Sequence, residues 1–258
     1  MLHIALKQAQ DIGHEGAVTH IFILMANLAK DRELFGQAER LYTTVLKRLV
    51  SGGEPQDSNA VVEISLKIAQ IFQQTGRTEK AEQGLRFCVE TQRKKVAEGE
   101  EDEDTRALLG ISLDMMGQFF LSQANYGQAE KCWKEAVEVA KQVLGEEDDQ
   151  VLVVTNSLAT VLSMTGKEEE AGKILEDVVI TAERINSPNL SAFLVNLGLV
   201  RLKQGLVKEA RLKCEKARSR AQAGADTDTV REAQQCLDQL ESVVSVVNVS
   251  NKKKLWSQ

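Results

Sequence analysis

Small residues recur along this chain at fixed intervals. Ala38, Ala81, Ala129, Ala171 and Ala210 are each preceded, twelve positions earlier, by Ala26, Ala69, Gly117, Ala159 and Gly198. Each alanine is followed four positions later by a larger residue: Tyr42, Leu85, Trp133, Leu175 and Cys214. Two helices approach closely only where side chains are small. The row therefore prescribes antiparallel helix pairs in series, with the first small residue on helix A and the second facing it from helix B. The follower, one helical turn beyond the alanine, fills the space beside that contact. One such pair cannot bury its own apolar face, so it needs neighbours on both sides.

This is the pattern of the tetratricopeptide repeat, whose standard unit is about 34 residues. Here successive alanines stand 43, 48, 42 and 39 residues apart, so helices or connections are longer. Long units of this kind occur in kinesin light chains. The expected fold is all-α: a right-handed superhelical solenoid of about five long tetratricopeptide-type helix pairs with a C-terminal capping helix. Pro55 and Pro188 are the only prolines, and both fall in expected connections. That suits long helices, because proline breaks them. No sustained period-2 pattern of β-branched residues indicates a sheet.

Residues 1–14 read as an orphan helix of an upstream half-repeat, with Ile4, Leu6 and Ala9 on one stripe. The chain is thus expected to begin inside a larger protein. Repeats occupy 15–226, with turns at Gly76, at Ala124 and Asn125, at Gly166 and at Gly205. Ser51 to Pro55 and Asn186 to Pro188 separate units. A capping helix is expected over 227–247, with Val230, Ala233, Leu237, Leu240 and Val244 at helical spacing and Thr227 or Asp228 as its cap. Residues 248–258, with Lys252 to Lys254 and Trp256, form a flexible tail. The acidic run Glu98 to Asp104 is placed in the connection between the second and third units. It reads as a solvated loop or as a contact for a basic partner.

The net charge of −6 argues against a nucleic-acid partner, which requires a basic face. No apolar run is long enough to span a bilayer. Cys88, Cys132, Cys214 and Cys236 are widely spaced and form no CxxC, so they read as small buried apolar residues rather than as a disulfide framework. His3, His14 and His20 lack the spacing of a metal-binding pair. No phosphate loop or nucleophile elbow occurs. Neither a cofactor, a metal nor a catalytic residue is expected.

The useful surface of such a solenoid is its concave face, lined by helices A. The position after each small helix A residue is expected to face the groove and holds Asn27, Gln70, Gln118, Thr160 and Leu199. The first four form a polar ladder able to bond the backbone of an extended peptide. Lys67, Asn156 and Asn196 belong to the same expected faces. A clamp for acidic chaperone tails is not supported: its first lysine would fall at Ile23 and its next asparagine at Lys67, so only Asn27 fits.

Three segments carry a more specific likeness. They are Leu24-Met25-Ala26-Asn27-Leu28-Ala29, then Asn59 through Ala69 after a Gly-Gly loop, and Arg184-Ile185-Asn186-Ser187-Pro188. With them the chain resembles, from Met1 to about Leu240, the mitochondrial tetratricopeptide repeat protein 19 family. The resemblance implies a non-enzymatic assembly and maintenance factor of respiratory complex III. Such a factor binds the assembled complex and promotes clearance of N-terminal fragments of the Rieske iron–sulfur protein. It also implies a location at the mitochondrial inner membrane, held by an anchor upstream of the repeats that these residues do not contain. The acidic run and the lysine-rich tail depart from the family pattern. The alternative, from the long units alone, is a kinesin-light-chain-like cargo or scaffold adaptor.

Overall fold

The helix ends explain the architecture. In the computed structural model, which describes residues 1–99 and 102–255 with side chains through Val243, Gly76 has φ +72° and Arg77 N donates to Phe72 O at 2.8 Å. Gly76 N donates to Gln73 O at 3.1 Å. These paired bonds close one helix and turn the chain into the next. Gly166 and Gly205 take the same left-handed conformation, as the glycine positions predict. Glu33, Ala124, Asn186 and Ala225 adopt it without being glycine.

Twelve helices and no strand occur among the described residues. They are α1 (Leu2–Asp11), α2 (Glu15–Asp31), α3 (Phe35–Ser51), α4 (Asn59–Gln74), α5 (Thr78–Ala97), α6 (Glu103–Ser122), α7 (Tyr126–Leu144), α8 (Asp149–Met164), α9 (Glu168–Arg184), α10 (Leu190–Lys203), α11 (Val207–Ala223) and α12 (Thr227–Leu255). The chain is an all-α helical-repeat solenoid. It divides into two units, Met1–Ala124 and Asn125–Gln258. In the first, α1 to α6 pack in order, with α4 also against α6. In the second, α7 to α12 pack in order, and α10 also touches α8 and α12.

The small-residue row lies in the cores. All five alanines are fully buried, as are Tyr42, Leu85, Leu175 and Cys214, and Trp133 is nearly so. In the first unit Ala26, Ala38, Tyr42, Val45, Ile64 and Ile71 form one cluster that joins α2, α3 and α4. The facing geometry differs in detail from the expectation. A Cβ on Gly84 would stand 3.0 Å from Ala69 Cβ, so Gly84, not only Ala81, makes the close approach there.

Four sequence expectations change. Cys214 and Cys236 are joined by a disulfide with Cα atoms 6.3 Å apart, while Cys88 and Cys132 are buried thiols as expected. Widely spaced cysteines carry no pairing signal until α12 folds back on α11. The α12 cap is Asp226, whose Oδ1 accepts from Thr229 N at 3.0 Å, rather than Thr227 or Asp228. The acidic run is partly helical. Asp102 accepts from Thr105 N at 2.8 Å and caps α6, so Glu103 and Asp104 occupy its first turn, where carboxylates favour the helix dipole. Glu100 and Glu101 lie outside the described residues. Finally, α12 continues past 247 to Leu255, through most of the expected tail; Trp256 lies outside the described residues.

Candidate protein-interaction grooves

Helices α2, α4 and α6 of the first unit line a groove of about 630 Å³. Its apolar floor comes from Leu66 on α4 and from Leu108, Ile111 and Met115 on α6. Ile111 is 52% exposed, high for an isoleucine. The walls are polar: Lys30, Glu63, Lys67, Gln70 and Asp104. Lys67 pairs with Glu63 at 2.8 Å, one turn away on the same helix. Lys30 Nζ donates to Gln70 Oε1 at 3.2 Å and ties α2 to α4. At one end, Asn59 Oδ1 accepts from Gln92, Lys95 and Thr105 at 3.0, 3.0 and 3.2 Å. Hydrogen bonding from Thr105 holds the Asp102 carboxyl below the usual carboxylate range.

A smaller groove of about 260 Å³ lies in the second unit between α8 and α10, with Gln239 of α12 at its edge. Thr160, Met164, Asn196, Leu199 and Lys203 line it. Lys203 Nζ donates to Ser163 O at 2.9 Å and to Ser163 Oγ at 3.0 Å. Asn196 Nδ2 donates to Asn156 Oδ1 at 2.9 Å, an amide pair between successive helices A.

Four of the residues expected from the sequence fall into two separate grooves, and the other three line neither. Lys67 and Gln70 line the first groove; Thr160 and Asn196 line the second, together with Leu199, the apolar fifth position of the series. Asn156 supports the second groove through Asn196. Asn27 is drawn inward instead: the Tyr42 hydroxyl donates to its Oδ1 at 2.6 Å. Gln118 is exposed and donates to Asp114 at 2.8 Å on its own helix. Thr160 Oγ1 donates to Asn156 O at 2.9 Å. The ladder amides and hydroxyl thus have partners within the fold, and a peptide would meet an apolar floor with polar walls. The floor residues Leu108, Ile111 and Met115 escape a search for polar ladders. Their signal is a run of apolar residues on α6 too wide for one buried face.

The chain is 32% identical over 246 residues to the tetratricopeptide repeat protein 19 homolog, mitochondrial, of Drosophila melanogaster, covering 95% of this chain and 67% of that protein. It is 32% identical over 250 residues to the human tetratricopeptide repeat protein 19, mitochondrial, covering 93% and 66%. The chain belongs to the tetratricopeptide repeat protein 19 family. It spans about two thirds of the length of these relatives. A tetratricopeptide repeat family model matches residues 108–179, from the first half of α6 into α9.

Solved structures agree on the fold. BtubC from P. vanneervenii matches with a TM-score of 0.66 at 19% identity, over 96% of this chain and 89% of that one. Aspartyl phosphate phosphatase F from Bacillus subtilis matches with 0.70 at 16% identity, over 99% and 65%. A putative kinesin light chain from Podosopora anserina matches with 0.65 at 17% identity, over 78% and 94%. At these identities the likeness concerns the fold alone. In this tetratricopeptide repeat protein 19 family member, no described helix is long and apolar enough to cross a membrane.

Proposed function

We propose that this chain is the interaction domain of a non-enzymatic assembly and maintenance factor. It binds respiratory complex III at the mitochondrial inner membrane and promotes clearance of N-terminal fragments of the Rieske iron–sulfur protein. The observation that carries the reading is family membership along nearly the whole chain. In this reading the first-unit groove is the contact surface. Its floor of Leu66, Leu108, Ile111 and Met115 would receive apolar side chains of an extended or helical segment, and its polar walls would fix register. The work is positioning by binding, with proteolysis left to another protein.

The test uses the full-length protein in mitochondria that lack the endogenous copy. Complex III subunits co-purify with wild type, and Ile111→Asp with Leu108→Asp reduces that recovery and lets Rieske fragments accumulate. Recovery of motor subunits or cytosolic cargo in place of complex III would establish the adaptor reading. Cleavage of a Rieske N-terminal peptide by the purified domain alone would overturn the non-enzymatic assignment.

A further inference from the structure

Cys214 occupies the follower position of the fifth helix pair, on α11, and Cys236 faces it from α12. Both are fully buried, and they sit among Ala210, Leu237 and Leu240. The site is shaped around the sulfurs. A Cβ on Gly198 of α10 would stand 2.4 Å from Cys214 Sγ, so α10 presents bare backbone where the bond lies. Three residues beyond Cys236, Gln239 forms an edge of the second-unit groove. The bond therefore joins the helix that borders this groove to the repeat beneath it.

Compartments held by glutathione and thioredoxin keep protein thiols reduced, and disulfides persist where the environment is oxidising. We propose that Cys214 and Cys236 are a substrate dithiol for a disulfide-donating oxidoreductase, and that their oxidation in a thiol-oxidising compartment locks α12 along the second groove. The groove's use in binding rests on the function proposed above; the bond does not.

The exchange takes place with α12 undocked, because docking buries both sulfurs. One cysteine loses its proton to solvent, and its thiolate attacks the donor's disulfide, forming a mixed disulfide and releasing one donor thiolate. The second cysteine, likewise deprotonated, attacks the protein sulfur of the mixed disulfide and releases the other donor thiolate. Two protein thiols are oxidised to one disulfide, and the donor's disulfide is reduced to a dithiol by the same two electrons.

Thiol trapping of the full-length protein at its native level tests this. Cells are acid-quenched and denatured. Thiols are alkylated with one reagent, disulfides are then reduced, and a second, mass-distinct reagent is added before peptide mapping. The Cys214 and Cys236 peptides should carry the second label and the Cys88 and Cys132 peptides the first. First-reagent label on both Cys214 and Cys236 would overturn the proposal. Hydrogen exchange reads the lock: α12 amides should exchange roughly tenfold or more faster in protein kept reduced than in oxidised protein, given the chain entropy a bridge of this span removes. Cys214→Ala/Cys236→Ala should match the reduced protein. Equal exchange in oxidised and reduced wild type, which needs no variant to fold, would overturn the locking role. Loss of complex III recovery with the bond still trapped would count against the docking function and leave this inference standing.

Discussion

Arg77 and Glu39 meet fork to fork, with Nη1 2.8 Å from Oε1 and Nη2 2.8 Å from Oε2. Glu39 directly follows the repeat alanine Ala38, and Arg77 stands four residues before the next, Ala81. The second unit repeats the relationship in register. Glu130 follows Ala129, Lys167 stands four residues before Ala171, and Lys167 Nζ lies 2.7 Å from Glu130 Oε1. A carboxylate on one helix B thus holds a cation at the start of the next helix B. Arg77 also lies over the Phe72 ring, 4.4 Å from its centroid, which fixes the guanidinium plane.

Glu39→Gln should remove most of this pair's charge-assisted bonding. Both side chains are about a third exposed, so solvent screens the pair and the expected cost is about 0.5–1 kcal/mol. Arg77 hydrogen bonding holds the Glu39 carboxyl below its ordinary range. A folded value below the unfolded one gives stability that is complete above the unfolded value, about 4.3, and lost as pH falls through the folded value. Urea midpoints of wild type and Glu39→Gln should differ at pH 7 and draw together near pH 3. A gap that widens on acidification would refute the assignment.

Tyr42→Phe should cost about 0.5–1.5 kcal/mol, because Asn27 Oδ1 loses its 2.6 Å donor in a half-buried position. Burial, aided by the charges of Asp31 and Glu63, pushes the Tyr42 hydroxyl up to about 12. A raised folded value means that this contribution is complete below the unfolded value, about 10, and lost as pH rises through about 12. Ultraviolet titration of the phenolate should show a component near 12 that Tyr42→Phe removes. A protein whose tyrosine absorbance titrates entirely near 10 while still folded would contradict this environment.

The small-residue row was legible because close packing is local: its residues are set by helix–helix distance and nothing else. The same locality hid the rest. Asn27 and Gln118 read as groove amides, yet one side chain rotates to Tyr42 and the other to Asp114, and a residue's place on a helix does not choose between partners. The Glu39–Arg77 pair spans 38 residues and two helices B, so it emerges only after the repeats stack. The 22-residue separation of Cys214 and Cys236 has the same character. Acidic residues near Asp102 read as loop by composition, although a carboxylate is also a good helix cap.

Ala171→Leu should overpack the fourth repeat. Ala171 is fully buried on α9, which packs on α8, and Leu175 one turn further along and Ala159 on α8 are buried too, so the added atoms force rotamer or backbone shifts of about 1–3 kcal/mol. Thermal unfolding of the oxidised protein should show a lower midpoint. An unchanged midpoint would mean that the helix pair has room that the buried row does not show.

Gly198→Ala and Gly172→Ala make the sharper comparison, because both are interior helix glycines that gain about 1 kcal/mol of helix propensity on becoming alanine. At Gly198 the new Cβ meets Cys214 Sγ at 2.4 Å and Ala210 O at 3.3 Å. A sulfur held in a disulfide and a helix backbone cannot both retreat, so strain of about 1–3 kcal/mol should exceed the gain. At Gly172 the Cβ meets Arg201 Nη1 and Gln204 Nε2, each at 2.9 Å. Both are the far ends of long side chains and can yield, although Arg201 also reaches Glu176 and lies 3.4 Å from Glu209. Gly172→Ala should therefore fall within about 1 kcal/mol of wild type, and Gly198→Ala should be clearly destabilised in chemical denaturation. Reduction of the disulfide should narrow the difference, since a freed Cys214 side chain can rotate away from the new methyl group. If Gly198→Ala proves as stable as Gly172→Ala in the oxidised protein, Cys214 does not stand against α10 as described.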